Sequence, residues 1–259
     1  MLEAIQTEAS EHIVVTADAQ ILNIVIHRPA RKNAMTGEMY ASFAAALRDA
    51  AVRDDIDVVL VRGQSGAFCA GNDITDFVAK PPVQSDAPVW EFFRALMDLD
   101  KPVVAAVDGP AIGIGTTMLL HCDLVFASDR SVIALPFTSL GLTPEGASTV
   151  LLPLLAGRQR AAEMLLLGTK VTAEQACGLG LVNQVVPAEE LLGAAQSCAQ
   201  KLASLPPGIV RATKRLMSDG LSRVVSHQFV AEQDAFRHTV VGPAAAQAFA
   251  KFLGKAARP

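Results

Sequence analysis

The sequence predicts an α/β fold with parallel strand pairing. Short β-branched runs recur at Val58-Val59-Leu60-Val61, at Val103–Val107 and at residues 124–127. Segments with helical spacing lie between them, and strands alternating with helices favour a parallel sheet. With 259 residues, more than half of them hydrophobic, the chain is long enough for one large core, or a core plus an appendage.

The elements follow in order. Ile21–Ile26 is an apolar run with one polar interruption and is expected to be a strand. Thr36 is placed to cap a helix in which Met39, Phe43, Leu47 and Ala50 share a face. The run at 58–61 suits a strand covered on both faces. Residues 80–88 are rich in proline and polar side chains and read as a mobile loop. A helix with Trp90, Phe93, Leu96 and Met97 on one side follows it. Val103–Val107 and residues 124–127 repeat the strand pattern, with a short helix expected between Gly113 and His121. Thr172-Ala173-Glu174-Gln175 is a capping box that opens another helix. Beyond Pro187 three or four helices are expected, punctuated by Pro206-Pro207-Gly208, Gly220 and Gly242-Pro243. Val224, Val225, Phe229, Phe236, Phe249 and Phe252 exceed what this tail can bury against itself, which predicts packing on the main body or on another subunit. The expected division is a core over residues 1–187 and a helical region over 188–259.

Composition narrows the function. Net charge is −4 with no basic stripe, which argues against nucleic acid as a partner. No uncharged apolar run approaches the ~18 residues of a membrane span, so no membrane partner is expected. Met1-Leu2-Glu3-Ala4 lacks a signal-peptide pattern, and Ala257-Arg258-Pro259 is not a Ser-Lys-Leu type address, so a cytoplasmic location is expected. Cys69, Cys122, Cys177 and Cys198 form no C-x-x-C pair and read as reduced thiols. The five histidines are scattered, so no metal site is expected.

Two features suggest chemistry. Glu145 is the only ionisable side chain between Arg130 and Arg158, set among apolar residues where a carboxylate loses hydration. Such an acid has either a buried hydrogen-bond partner or a pKa tuned for proton transfer; a loop-tip glutamate facing water is the bland alternative. Two glycine-containing turns follow strands, one at residues 66–74 and one at residues 108–115. Small residues there leave backbone N–H groups free to meet a ligand. Neither turn is a phosphate-binding fingerprint, since the P-loop lysine and the third glycine of G-x-G-x-x-G are missing. Together they fit a divided oxyanion hole, one N–H donor from each turn.

These residues also carry a family resemblance. His27-Arg28-Pro29, Lys32-Asn33-Ala34-Met35, Phe68-Cys69-Ala70-Gly71-Asn72-Asp73-Ile74, Lys101-Pro102-Val103, Asp108-Gly109-Pro110-Ala111-Ile112-Gly113 and Cys122-Asp123-Leu124 occur in the order and spacing of the crotonase (enoyl-CoA hydratase/isomerase) superfamily. The resemblance implies a ClpP/crotonase-like spiral of ββα units and a C-terminal helical region for trimerisation and active-site closure. It implies an acyl-CoA thioester substrate, with coenzyme A as part of the substrate and no separate cofactor, and a homotrimer or dimer of trimers. Carried over residue by residue, the thioester oxygen would meet the N–H groups of Asn72 and Ile114. Ala70, Gly71, Asn72, Asp73, Ile74, Gly113, Ile114 and Phe137 would line the substrate site. Arg28, Arg31, Lys32, Lys251 and Lys255 are cations that such a resemblance sets near the CoA phosphates, although each reads equally well as a solvated charge.

The acids indicate which reaction. Enoyl-CoA hydratases resembling this chain hold water with two glutamates, and the matching positions are Thr117 and Phe137. Glu145 lies where the peroxisomal-type 3,2-trans-enoyl-CoA isomerases place their single catalytic glutamate. The resemblance therefore implies isomerisation of 3-enoyl-CoA to 2-trans-enoyl-CoA in fatty-acid or related acyl-CoA metabolism. The same enolate hole would also serve weak hydration, thioester hydrolysis, dehalogenation, or acyl-CoA binding without turnover. Burial and the start of a following helix pull the pKa of Glu145 in opposite directions, and the sequence leaves that contest open.

Overall fold

The computed structural model describes residues 3–4 and 10–256. Ala257-Arg258-Pro259 and the side chain of Lys255 lie outside them. The strands are β1 (Glu3–Ala4), β2 (Ile13–Asp18), β3 (Ile21–Ile26), β4 (Val58–Gly63), β5 (Val103–Val107), β6 (Pro110–Ile112), β7 (Leu124–Ser128), β8 (Val132–Ala134), β9 (Val171–Thr172) and β10 (Gln184–Val186). Seven of them form one sheet in the order β1-β2-β3-β4-β5-β7-β10. Its run from β3 to β10 is parallel, and the β1 and β2 pairings are antiparallel. The other three form a small sheet, β6-β8-β9.

The helices are α1 (Gly37–Val52), α2 (Ile74–Ala79), α3 (Pro88–Asp98), α4 (Ile114–Thr117), α5 (Ser148–Ala156), α6 (Arg158–Leu167), α7 (Ala173–Gly178), α8 (Leu191–Ala203), α9 (Pro207–Thr239) and α10 (Pro243–Ala256). Thr36 caps α1 by accepting from the Met39 N–H, and Thr172 and Gln175 close the capping box of α7. The helix expected from Gly113 to His121 is α4 continued by a 3₁₀ turn, Met118–His121.

The central strands are buried on both faces because their side chains alternate between two cores. Ile24, Val59, Val61, Val103, Ala105 and Val125 face the larger core with α1 and α3. Val58, Leu60, Val104, Ala106 and Phe126 face a smaller one, closed by Leu191, Ala195 and Ala199 of α8. β5 and β7 each pass directly into a strand of the small sheet, so the chain turns from one sheet to the other at the two points where the glycine-containing turn and the segment leading to Glu145 begin.

Two expectations are corrected. Gly220 does not break the tail, because α9 runs unbroken for 33 residues. A glycine inside a helix costs about 1 kcal/mol, which a helix of that length absorbs. The 80–88 loop is held rather than loose. Trp90 Nε1 donates to the Pro82 carbonyl, Gln233 and Arg94 donate to that of Ser85, and Arg237 donates to that of Val83. The second half of α9 packs there, with Phe229 and Phe236 edge-on to Trp90 at centroid distances of 6.2 and 5.5 Å. Phe229, Phe236 and Phe249 are buried, while Val224 and Phe252 are half exposed. No helix among the described residues is long and apolar enough to cross a membrane.

Candidate active site

The two glycine-containing turns are joined by backbone. The Cys69 N–H donates to the Pro110 carbonyl at 3.0 Å and the Ile112 N–H to the Cys69 carbonyl at 2.9 Å. Small residues permit this approach. A Cβ on Gly115 would sit 2.6 Å from the Cys69 carbonyl oxygen, and one on Gly71, whose φ is +100°, would sit 3.2 Å from that of Ile112.

Each turn leaves an N–H unpaired. Met35 brackets the first turn: its N–H donates to the Gly71 carbonyl, and its carbonyl accepts from the Asp73 N–H, both at 2.8 Å. In an extended segment successive N–H groups face opposite sides, so that of Asn72 points away from Met35. It has no acceptor among the described residues. Ile114 is the first residue of α4, where no intrahelical acceptor exists, and its N–H is likewise unpaired among them. The Asn72 side chain is fixed separately, its Oδ1 accepting from the buried Tyr40 hydroxyl.

Beside these turns lies an apolar cavity of about 230 Å³. It is lined by Ala70, Gly71, Asn72, Ile74, Gly113 and Phe137 of the expected set, together with Phe77, Ile112, Pro136, Leu140, Leu142 and Phe252. Asp73 and Ile114 are not in the lining. The Asp73 carboxylate caps α2, accepting from the N–H groups of Thr75 and Asp76, and pairs with Arg28 at 2.7 Å. These partners hold its pKa below the ordinary carboxylate value against the opposing effect of burial. The structure thus gives Asp73 a scaffolding position and leaves Arg28 committed to it, while Arg31 and Lys32 are exposed. The Ile114 side chain is buried in the core, leaving only its N–H to serve a ligand.

Glu145 is buried, 1% exposed. Its Oε1 accepts from the Thr117 hydroxyl at 2.7 Å. Burial pushes its pKa up to about 8; the Thr117 hydrogen bond opposes the rise and the charge of Glu232 adds to it. The open contest in the sequence is therefore won by desolvation. Burial raises the pKa values of Tyr40 on α1 and Cys69 in the first turn, and the charge of Glu145 adds to both. The chain beyond it is left-handed at two successive residues, Gly146 (φ +74°) and Ala147 (φ +56°). A Cβ on Gly146 would meet the Phe93 ring at 2.7 Å. The Gly146 carbonyl accepts from His121 Nε2 at 2.7 Å; burial pushes that ring down to about 4, so it is neutral and the tautomer carries its proton on Nε2.

Thr117 stands at a hydratase glutamate position, where its hydroxyl can hydrogen-bond a ligand or water but cannot replace a carboxylate; in the structure its partner is Glu145. It lies three residues beyond Ile114 on the same short helix, and nothing local in the sequence names Glu145 as its partner. Glu232, on α9 and buried, was not singled out at all, since one acid among the charges of a long helix carries no periodic signal. Glu145 is not in the cavity lining; its tie to the turns is through Thr117, three residues beyond Ile114 on α4. A buried carboxyl can move a proton, and unpaired N–H groups can receive an anionic oxygen.

Residues 16–257 match the enoyl-CoA hydratase/isomerase family. The chain is 37% identical over 214 residues to enoyl-CoA delta isomerase 2 of Homo sapiens, covering 80% of this chain and 54% of that protein. It is 34% identical over 233 residues to 1,2-epoxyphenylacetyl-CoA isomerase of Escherichia coli (strain K12), covering 86% of this chain and 88% of that one. Its fold matches that of Pseudomonas aeruginosa OdaA with a TM-score of 0.92 and 40% identity, covering 94% of this chain and 99% of that chain. The chain spans about half the length of the human and rat isomerases it matches.

Proposed function

The chain belongs to the enoyl-CoA hydratase/isomerase family, and on that premise we propose that it converts 3-enoyl-CoA into 2-trans-enoyl-CoA. The observation that carries this reading is Glu145: a buried carboxyl whose side-chain partner is the hydroxyl of Thr117, on the short helix that Ile114 opens, with a mainly apolar cavity against the two turns. The names of the human, rat and mouse relatives, all enoyl-CoA delta isomerases, support the same reaction.

The thioester oxygen accepts from the N–H groups of Asn72 and Ile114. Ionised Glu145 takes the C2 proton, which the thioester and the adjacent C3=C4 bond acidify. The electron pair spreads into a dienolate whose oxygen the two N–H groups stabilise. Losing one such donor typically costs ~2.7–4 kcal/mol of barrier. Glu145 returns the proton to C4, the double bond becomes C2=C3, and no oxidant, metal or second acid enters the balance. The reaction needs no cofactor beyond the coenzyme A that the substrate carries. A base for so weak a carbon acid gains from a raised pKa, at the cost of being about one-tenth ionised at pH 7 with a pKa of about 8.

Water-adding chemistry of the two-glutamate kind lacks its groups, since Thr117 and Phe137 occupy those positions. The reading extends to fatty-acid or related acyl-CoA breakdown in the cytoplasm. It includes a homotrimer or dimer of trimers assembled through residues 188–259, where Ile209, Leu216 and Met217 are exposed. The test is a paired assay. Wild type is expected to conjugate a 3-enoyl-CoA rapidly and to hydrate crotonyl-CoA poorly, and Glu145→Gln to lose the first activity while still binding acyl-CoA. Rapid hydration without isomerisation, or a Glu145→Gln variant with near-native turnover, refutes the reading.

A further inference from the structure

Helix α5 begins three residues after Glu145 and lacks a side-chain cap of its own, since its N-cap residue is Ala147 in the left-handed region. Its amino end is occupied from 83 residues away. Glu232 of α9, 5% exposed, accepts through Oε1 from the Thr149 N–H at 2.8 Å and from the Thr149 hydroxyl at 2.5 Å. Gln228, one turn earlier on α9, donates to that hydroxyl at 2.7 Å. Burial raises the pKa of Glu232, and its hydrogen bonds to Thr149 oppose that rise. The other carboxylate oxygen, Oε2, is buried without a partner.

A helix amino end offers unpaired N–H groups and positive potential, and a nearby carboxylate is stabilised by both. Glu145 is the nearest acid along the chain, yet its hydrogen-bond partner is the Thr117 hydroxyl. We propose that Glu232 is a positioning residue for Glu145: its carboxylate occupies the amino end of α5, denies those N–H groups to Glu145, and sets a second negative charge beside it. This rests on reading Glu145 as the base. The effect is to keep the base strong, because a carboxylate that collected the N–H groups of α5 would be a weaker one.

Burial moves three groups near the pair away from the range between pH 6 and 9. Tyr40 of α1 and Cys69 of the first turn are raised by burial, the thiol to about 12, and His121 is lowered to about 4. On α3, Glu91 and Arg94 pair with each other, and on α9 Asp234 pairs with Arg237. The difference between the wild-type and Glu232→Gln profiles across that range therefore reports on the two carboxyls.

The experiment measures kcat and KM for a 3-enoyl-CoA from pH 5 to 10 for wild type, Glu145→Gln, Glu232→Gln and Glu232→Ala, with the Tm of each. Glutamine keeps the acceptor for Thr149 and removes the charge, so Glu232→Gln is expected to move the rise of kcat/KM down by ~1 pH unit with KM nearly unchanged. Glu232→Ala also frees the N–H groups and is expected to move it further. An inactive Glu145→Gln together with a Glu232→Gln profile that overlays wild type, or moves upward, overturns the inference alone. An active Glu145→Gln overturns the base assignment and this inference with it. Should the alanine variant fail to fold, Glu232→Gln decides.

Discussion

Replacing Glu145 with glutamine is expected to stabilise the protein while removing its activity, and the stabilisation has a defined pH window. The unfolded carboxyl titrates at its ordinary value of 4.5, and the folded one at about 8. Below 4.5 both states hold the proton and Glu145 has no differential effect. Between 4.5 and 8 the unfolded state has released the proton and the folded state has not, so stability falls as pH rises. Above 8 the penalty is complete. At about 1.4 kcal/mol per pH unit, the rise from 4.5 to about 8 amounts to about 5 kcal/mol when complete and about 3 kcal/mol at pH 7. Solvent screening removes little of this from a side chain 1% exposed. Glutamine never ionises, and its carbonyl still accepts from Thr117. The assay is urea unfolding of both proteins at pH 4, 7 and 9 and at one protein concentration, because association also shifts apparent stability. The variant's advantage is expected to be near zero at pH 4 and to grow through pH 7 to pH 9. Parallel stability curves would refute the claim that folding holds this carboxyl in its neutral form.

Two further substitutions probe the parts that surround it. Thr117→Val removes the hydroxyl that favours the Glu145 carboxylate; a hydrogen bond to a charged group is worth ~1.5–3 kcal/mol, so the rise of kcat/KM should move to higher pH and activity at pH 7 should fall ~10-fold or more, read from pH–rate profiles. Gly115→Ala sets a Cβ 2.6 Å from the Cys69 carbonyl oxygen and forces the two turns apart; overpacking of this kind costs ~1–3 kcal/mol, and a calorimetric Tm with kcat at saturating substrate should show both lower stability and slower turnover.

How much of this was legible in the sequence depended on whether the signal was local. The strands at 21–26, 58–61, 103–107 and 124–127 were readable because burial on both faces leaves an unbroken apolar run. Thr36 and Thr172 were readable because a cap and its partner lie three residues apart. Glu145 stood out by contrast with its neighbours. The small sheet was not legible, since strands as short as Val132–Ala134 and Val171–Thr172 have too few residues to show a period. Gly220 misled because a single glycine carries the same letter in a turn and in a long helix. The link from Glu232 to Thr149 spans 83 residues, and pairing over such a distance leaves no spacing to detect. The roles proposed for Asn72 and Ile114 come from the resemblance and from no residue type, because a backbone N–H is the same at either residue.

The two unpaired N–H groups belong to turns tied to each other by main-chain hydrogen bonds, while the cavity beside them is walled by side chains such as Phe77, Phe137 and Leu140. Those two layers answer to different letters of the sequence. If the proposed reaction holds, enlarging or narrowing the side-chain part of the wall leaves the spacing of the two N–H groups untouched, and acyl preference can be re-engineered one such residue at a time. Changes to the glycines of the turns have no such freedom.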